Sequence, residues 1–389
     1  MLFIFIAIII ALIYISLRST NEMNKLAKQT EELNNKFQQI YQASEGEEGQ
    51  EKEAEDDRPK LEMTILGDLH CTTDLISDSY DKTYYRYKFN PFFETIENVV
   101  KEADVALATV GTNFTEQDYT SGSKYNSPTE FADAVADIGV DIVNIGTDRA
   151  NDYEKAGLAE TKQYWKDKGI TVVGDKLEES NIRYFESGEF KIALVSYLER
   201  GLIENAPEYI PVYQKETAEK EIQEAKQNSD FVIVFMHWSS INQSFASTEE
   251  INLADEIVSL GADMIIGNHS NYVHQMQVRQ NSKGKNVFIA YSLGNYLLNT
   301  TDTHTQVDLV LKIELRKSKE TGEVVLQQVD YVPIYAVDNG DKADPRFAYV
   351  NLRSEVESYT EIPEDENEYA RYKQMKDALE WIEEVVVGG

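Results

Sequence analysis

Between Gly261 and Asn295 two apolar runs end abruptly in polar residues. GADMIIGNHSNYVHQ stops at Gly267-Asn268-His269, and VFIAYSLGN stops at Ser292-Leu293-Gly294-Asn295. Runs of this kind read as parallel strands, buried on both faces, that deliver polar groups to one edge of a sheet. That edge is where α/β folds keep their sites. The chain has five histidines. His269 and His274 fall in this stretch, His237 ends the apolar run FVIVFMHW, and His70 follows ILGD. A single such histidine is more often a satisfied core or surface residue. Four scarce imidazoles at strand ends indicate one shared site.

The rest of the central sequence repeats the pattern. From about Leu61, strand signals at 62–67, 104–110, 139–145, 170–174, 191–197, 230–237, 262–267 and 287–293 alternate with amphipathic helices near 88–102, 128–138, 153–168, 216–228 and 248–260. This predicts an α/β domain with largely parallel sheets. Beyond 305 the pattern becomes β-rich, with QVDLVLKIELR and EVVLQQVDYVPIYAV joined by a turn at Glu320-Thr321-Gly322, a hairpin expected to close one edge of a sheet. Residues 364–386 read as a helix with Leu379, Ile382 and Val386 on one stripe. No internal repeat is evident.

The N-terminal part has a different texture. Leu2 to Leu17 are apolar apart from Tyr14 and Ser16, which predicts a membrane anchor over residues 1–18. A cleaved signal peptide would need a basic leading segment and a small-residue cleavage site, and neither is clear. The nearest bases, Arg18, Lys25 and Lys28, follow the segment, so the positive-inside rule alone puts the large domain in the cytoplasm. Over 19–43, Met23, Leu26, Leu33, Phe37 and Ile40 form a helical stalk, with 26, 33 and 40 spaced by sevens and Thr30 breaking one seam. Three heptads with a broken seam are marginal for a coiled coil, which leaves weak self-association through the stalk as an open alternative. SEGEEGQEKEAEDDRP opens an acidic linker, 44–60, with no apolar period.

Composition excludes several classes. Of 389 residues, 69 are acidic and 37 basic, a formal charge of −32. Nucleic acid is thereby excluded as the main partner, because neutralising phosphates needs clustered Lys and Arg. The single cysteine, Cys71, rules out an intramolecular disulfide framework and a Cys-rich zinc module. Cys71 itself reads as a half-buried bystander after a strand, since nothing local would lower its pKa.

The chemistry gathers at the strand ends. Asp68 and His70 form an Asp-x-His, and residues two apart on an extended segment face the same way, so carboxylate and imidazole can converge on one cation. His237 adds a second imidazole, the candidate catalytic residue, and Asn268 with His269 adds an amide and a third. Carboxylate, imidazole and amide together are typical of two-metal phosphoesterase sites. The plainer reading is that Asp68 caps the following turn and His237 is buried beside Trp238.

Taken in order, the motifs resemble the CapA (poly-γ-glutamate capsule biosynthesis) family. The matching pieces are ILGD at 65–68, VDIVNIGTDRANDYEKAGLAETKQYWKDKGITVVGD at 140–175, KIALVSY at 191–197, FVIVFMHW at 231–238, GADMIIGNHSNYVHQ at 261–275 and YSLGN at 291–295. The resemblance covers about 61–340 and implies a metallophosphoesterase-like four-layer α/β/β/α sandwich, with 341–389 as a C-terminal extension ending in a helix. It also implies a single-pass protein of the cell membrane with its main domain extracellular, against the charge rule, and membrane polymer-synthase subunits as partners. Its role would be to assist synthesis, export or anchoring of an anionic surface polymer.

This sequence departs from the family where metal ligands are expected. The family reads Asn-Leu-Glu or Asn-Phe-Glu near the second strand end; here stands Ala108-Thr109-Val110-Gly111, without the acid. Its Ala-Asn-Asn-His is Gly146-Thr147-Asp148-Arg149, its His-Trp-Gly is His237-Trp238-Ser239, and its Gly-His-His-Pro-His is Gly267-Asn268-His269-Ser270-Asn271. A guanidinium is never deprotonated and cannot ligate a metal. The remaining metal candidates are Asp68, His70, His237, Asn268 and His269, with Asp148 and Asn271 as weaker oxygen ligands, which leaves one divalent ion (Mn, Zn or Fe) or none. Asp148, Arg149 and Asn271 become candidates for an anionic ligand, with Arg149 making the bidentate contact. Three functions stay open: an accessory protein with little or no hydrolase activity, an active metal-dependent phosphoesterase, and a divergent binding module.

Overall fold

The long apolar runs become strands with no solvent-facing side. Val105–Val110 and Phe231–His237 are buried at every position, as a strand covered on both faces must be. The computed structural model describes residues 57–178, 180–296, 302–340, 343 and 345–387. The anchor, the stalk and the acidic linker up to residue 56 lie outside the described residues. Among the described residues, no helix is long and apolar enough to cross a membrane.

The first half of the domain runs β1 (Lys60–Leu69), α1 (Thr73–Asp78), a small hairpin β2 (Tyr80–Asp81) and β3 (Arg86–Tyr87), then α2 (Asn90–Lys101) and β4 (Val105–Val110). A second small hairpin, β5 (Thr120–Ser121) and β6 (Tyr125–Asn126), precedes α3 (Thr129–Asp137), β7 (Ile142–Asn144), α4 (Glu154–Asp167) and β8 (Thr171–Val173). The second half runs β9 (Ile182–Ser187), β10 (Phe190–Leu198), α5 (Lys215–Asn228), β11 (Phe231–His237), α6 (Thr248–Leu260), β12 (Met264–Asn268), β13 (Met276–Gln280) and β14 (Asn286–Ala290). The chain then returns through β15 (Val307–Lys317), β16 (Val324–Asp338), β17 (Phe347–Asn351), α7 (Leu352–Ser358) and α8 (Glu366–Val387).

These strands form a seven-stranded sheet, β17-β16-β15-β1-β4-β7-β8, and a six-stranded sheet, β13-β14-β12-β11-β10-β9. Both are mixed rather than largely parallel. The parallel pairs β1–β4, β4–β7 and β7–β8 are extended by antiparallel β15, β16 and β17. In the other sheet β10–β11, β11–β12 and β12–β14 are parallel, with antiparallel β9 and β13 at the rims. The β15–β16 hairpin does not close an edge as expected: β15 pairs with β1, and the edge is taken by β17.

Period-two alternation divides each strand between two cores. Val232, Val234, Met236 and Trp238 pack with Ala218 and Ile222 of α5 and Ile257 of α6. Ala106, Ala108 and Val110 pack with Phe92 and Phe93 of α2, Phe131 of α3 and Trp165 of α4. The alternate residues, among them Leu107, Ile233, Phe235 and Ile266, are buried but belong to neither helical core. Their faces meet each other, because Thr109 of one sheet accepts a hydrogen bond from Asn268 of the other at 3.0 Å. Two facing sheets with helices outside both give the expected four layers.

The α6 crossover, which sets β12 beside β11, has strong ends. The Ser247 hydroxyl accepts from Glu250 N while the Glu250 carboxylate accepts from Ser247 N, and Gly261 closes the helix at φ +115°. Such a capping box contributes about 1 kcal/mol.

Candidate functional site

All the parallel strands end at one side of the sandwich, and their last residues meet there. Thr109 is the junction: its hydroxyl accepts from Asn144 Nδ2 at 3.3 Å and from Asn268 Nδ2 at 3.0 Å, tying β4 to β7 and to the opposite sheet. The loop of β12 and the loop after β14 are laced together. Asn295 Nδ2 donates to His269 O (3.1 Å) and to Asn271 Oδ1 (2.8 Å), and His274 N donates to Ser292 O (3.1 Å). This lacing holds His269 at φ +97°, the left-handed region. A side chain there costs on the order of 1–3 kcal/mol and persists where the surroundings over-determine it.

The ring of His269 is equally fixed. Its Nδ1 lies 2.7 Å from Trp238 O. A carbonyl can only accept, so Nδ1 carries the proton and Nε2 keeps its lone pair. Burial, with His237 alongside, pushes the pKa of His269 down to about 4. The His237 ring lies 4.6 Å away, centroid to centroid. His237 stands between two carboxylates, with Nε2 3.3 Å from Asp148 Oδ1 and Nδ1 3.9 Å from Asp68 Oδ2. Asp148 Oδ2 is 3.9 Å from His269 Nε2 and 2.9 Å from Arg149 Nη2. Burial alone would raise the Asp148 pKa, but its contacts with His237, His269 and Arg149 hold it well below the usual carboxylate range.

On the other flank Asp68 is fully buried and neither of its oxygens accepts a hydrogen bond. His70 answers its charge with Nε2 3.1 Å from Oδ2, an ion-pair distance outside hydrogen-bonding geometry. Burial opposes both charges, yet the pairing wins: the Asp68 pKa is lowered and that of His70 raised. Asp68 does not cap the following turn; the Thr72 hydroxyl does, accepting from Leu75 N at 3.3 Å. Gly111 explains where the family's acid went. A Cβ there would stand 2.6 Å from His70 Cε1 and 2.7 Å from Asp68 Oδ1, so the imidazole of His70 fills the space beside Gly111.

The sequence candidates therefore divide. Asp148, His237 and His269 each offer a donor atom, all within 4.8 Å of one another, which puts Asp148, a weaker ligand candidate by sequence, among the metal donors. Asp68 and His70 adjoin this trio through His237. Asn268 spends its amide N–H on Thr109 and keeps Oδ1 unpartnered. Asn271 is committed at both ends, donating to Asn242 Oδ1 (2.8 Å) and accepting from Asn295. His274 takes no part in the cluster; its Nε2 sits 2.5 Å from Ser270 Oγ and 2.8 Å from Gln243 O. Cys71 is wholly rather than half buried, and burial drives its thiol up to about 12. Sequence reasoning missed Tyr125, whose ring lies 4.3 Å from the Arg149 guanidinium carbon and 5.5 Å from the His70 ring. No spacing in the loop before α3 signalled it.

One metal ion fits this donor set and two do not. The trio presents two imidazoles and a carboxylate, a borderline-soft set that suits Mn, Fe or Zn. Around it, Arg149 occupies an oxygen of Asp148, and Gly111 brings no carboxylate for a second ion.

Carboxylates, imidazoles and an arginine at the carboxyl edges of two facing sheets define an α/β protein equipped to hold a cation or an oxyanion. Residues 62–300 match the family model described as bacterial capsule synthesis protein PGA_cap, and the chain belongs to that family. It is similar to the capsule biosynthesis protein CapA of Bacillus anthracis, 23% identical over 343 residues, covering 82% of this chain and 77% of that one. The PGA biosynthesis protein CapA of Bacillus subtilis is 22% identical over 283 residues, covering 69% and 71%. Among solved structures, a calcineurin-like phosphoesterase from Bacillus subtilis overlays with a TM-score of 0.43 at 11% identity, covering 83% of this chain and 99% of that one.

Proposed function

We propose that this protein serves the synthesis, export or anchoring of an anionic cell-surface polymer of the poly-γ-glutamate type, and that its strand-end site binds ligand with little or no hydrolysis. The protein acts from the outer face of the cell membrane, held by residues 1–18 and working with membrane polymer-synthase subunits. One observation carries the non-hydrolytic reading: the two carboxylates that face His237 are each already paired with a basic side chain of the same chain, Asp148 with Arg149 at 2.9 Å and Asp68 with His70 at 3.1 Å. Two catalytic ions would need those same carboxylates free of competing charge. The printed names of the two Bacillus relatives support the polymer role.

A divalent ion held by Asp148, His237 and His269 would polarise an oxyanion placed against it. The chain's own residues do the rest: Trp238 O fixes the His269 tautomer, Thr109 fixes Asn268, and Arg149 presents positive charge. That trio also supports a second reading, a single-ion phosphoesterase. Two assays decide. Deleting the gene should strip the surface polymer, and the purified full chain with Mn, Zn or Fe should not turn over a phosphodiester. Unchanged surface polymer would sink the biosynthetic role. Metal-dependent turnover abolished by His237→Ala would establish the hydrolase.

A further inference from the structure

Arg149 is held on three sides, yet most of its donors are unused. Its N–H donates to Thr147 Oγ1 (3.2 Å), its carbonyl accepts from Asn113 Nδ2 (2.9 Å), and its guanidinium lies over the Tyr125 ring. A guanidinium has five N–H donors. Among the described residues Nη2 pairs with Asp148, while Nε is buried without a hydrogen-bond partner, and the side chain is 25% exposed.

The hairpin carrying Tyr125 returns the contact. Lys124 Nζ lies 4.9 Å from the centroid of the Tyr153 ring, in the segment that carries Arg149. Tyr125 N donates to Asp152 Oδ2 at 2.7 Å. The β5–β6 hairpin and the 149–153 segment thus exchange two cation–aromatic contacts, which orient both cations before any ligand arrives. The Lys124 side chain is exposed and, among the described residues, makes no close ion pair, although its charge is felt by Asp152. In a chain of net charge −32, two cations with unspent donors on two segments that contact each other are an unusual investment. Asp148 and Asp152 lie nearby, but Asp148 is occupied by His237 and Arg149, and Asp152 by Tyr125 N.

We propose that Arg149 and Lys124 form an oxyanion subsite, and that its ligand is a carboxylate of an extended anionic polymer. The planar guanidinium fork matches a carboxylate edge to edge through two parallel N–H···O bonds, and Lys124 supplies a point charge for a neighbouring carboxylate of the same strand. The subsite needs no metal, since its positive charge is covalent. It rests on the polymer-handling role proposed above, and its test is made in vitro, apart from surface polymer in cells.

The test is equilibrium binding of purified full-length protein, in detergent and excess chelator, to fluorescent poly-γ-glutamate, with free glutamate and inorganic phosphate as competitors. Saturable binding is expected, weakened at least tenfold in Arg149→Gln, less in Arg149→Lys, and two- to threefold in Lys124→Gln. Lys283→Gln, an exposed cation on a turn between β13 and β14, should bind as the parent does. Melting curves identify a variant that fails to fold, in which case the exposed Lys124→Gln decides. The proposal is overturned if binding disappears with chelator, if Lys283→Gln weakens it as much as Lys124→Gln, or if phosphate binds and the polymer does not.

Discussion

Two buried clusters of charge in this molecule follow opposite rules. On the flank of the seven-stranded sheet, Lys162 of α4 meets Asp175 at 2.8 Å, with side chains 5% and 0% exposed. The other oxygen of Asp175 faces Arg183 at 3.5 Å, and Oδ1 also accepts from Leu177 N at 3.0 Å. Each carboxylate oxygen there has a partner. At the strand ends Asp68 is equally buried, yet its two oxygens, both nitrogens of His70, Nδ1 of His237 and Oδ1 of Asn268 have no hydrogen bond. Buried polar groups are ordinarily satisfied. The first cluster is complete without a ligand and stabilises the fold; the second leaves buried polar atoms open to a ligand.

That contrast is broken most forcefully at Asp175. Asp175→Ala leaves the buried Lys162 ammonium with the exposed Glu178 carboxylate, 3.3 Å away, in place of a buried partner, and urea denaturation should show a loss of about 3 kcal/mol. Ligand binding at the strand ends should not change in the fraction that stays folded.

The next largest effect is acid sensitivity at His274, a buried imidazole wired into the loop beside the site. Burial holds its pKa near 4, below the ordinary 6.5. The sign follows from linkage: the unfolded chain takes up the proton first, so stability from neutral His274 is full above pH 6.5 and is lost as pH falls toward 4. The loss amounts to roughly 2–3 kcal/mol, and His274→Gln should flatten that part of the stability profile.

Gly111→Ala should cost about 1–3 kcal/mol by overpacking against His70 and Asp68. His70→Ala in the same chain should recover most of it. Asp68→Asn should have the smallest effect, a loss of about 1 kcal/mol, because it removes a charge that the folded state favours through His70 while the His70 imidazole can shed its proton. The same exchange at Asp175 should cost more, because the Lys162 ammonium there sheds its proton far less readily.

Legibility in the sequence followed burial. β1, β4, β10, β11, β12 and β14 were readable because both faces are largely covered and each carries a mainly apolar run, interrupted in β1 and β10 by single polar residues. The strands missed in the larger sheets, β9, β13 and β17, are edge strands. Their sequences IRYFES, MQVRQ and FAYVN are half exposed, so no apolar run announces them. At the site, histidines and acids at strand ends were visible one by one. Their grouping was not: Asp148 joins His237 and His269 through a sheet-to-sheet contact, and Tyr125 reaches Arg149 from a two-residue strand.

The central claim is that this family member has kept a site for a single cation beside a cation of its own. The most direct measurement is metal stoichiometry, by titration of metal-stripped full-length protein with Mn, Zn and Fe under calorimetry and by elemental analysis of the loaded protein. The account predicts no more than one equivalent of any metal, lost in His269→Ala. Two equivalents per chain, the second removed by Asp68→Asn, would contradict it.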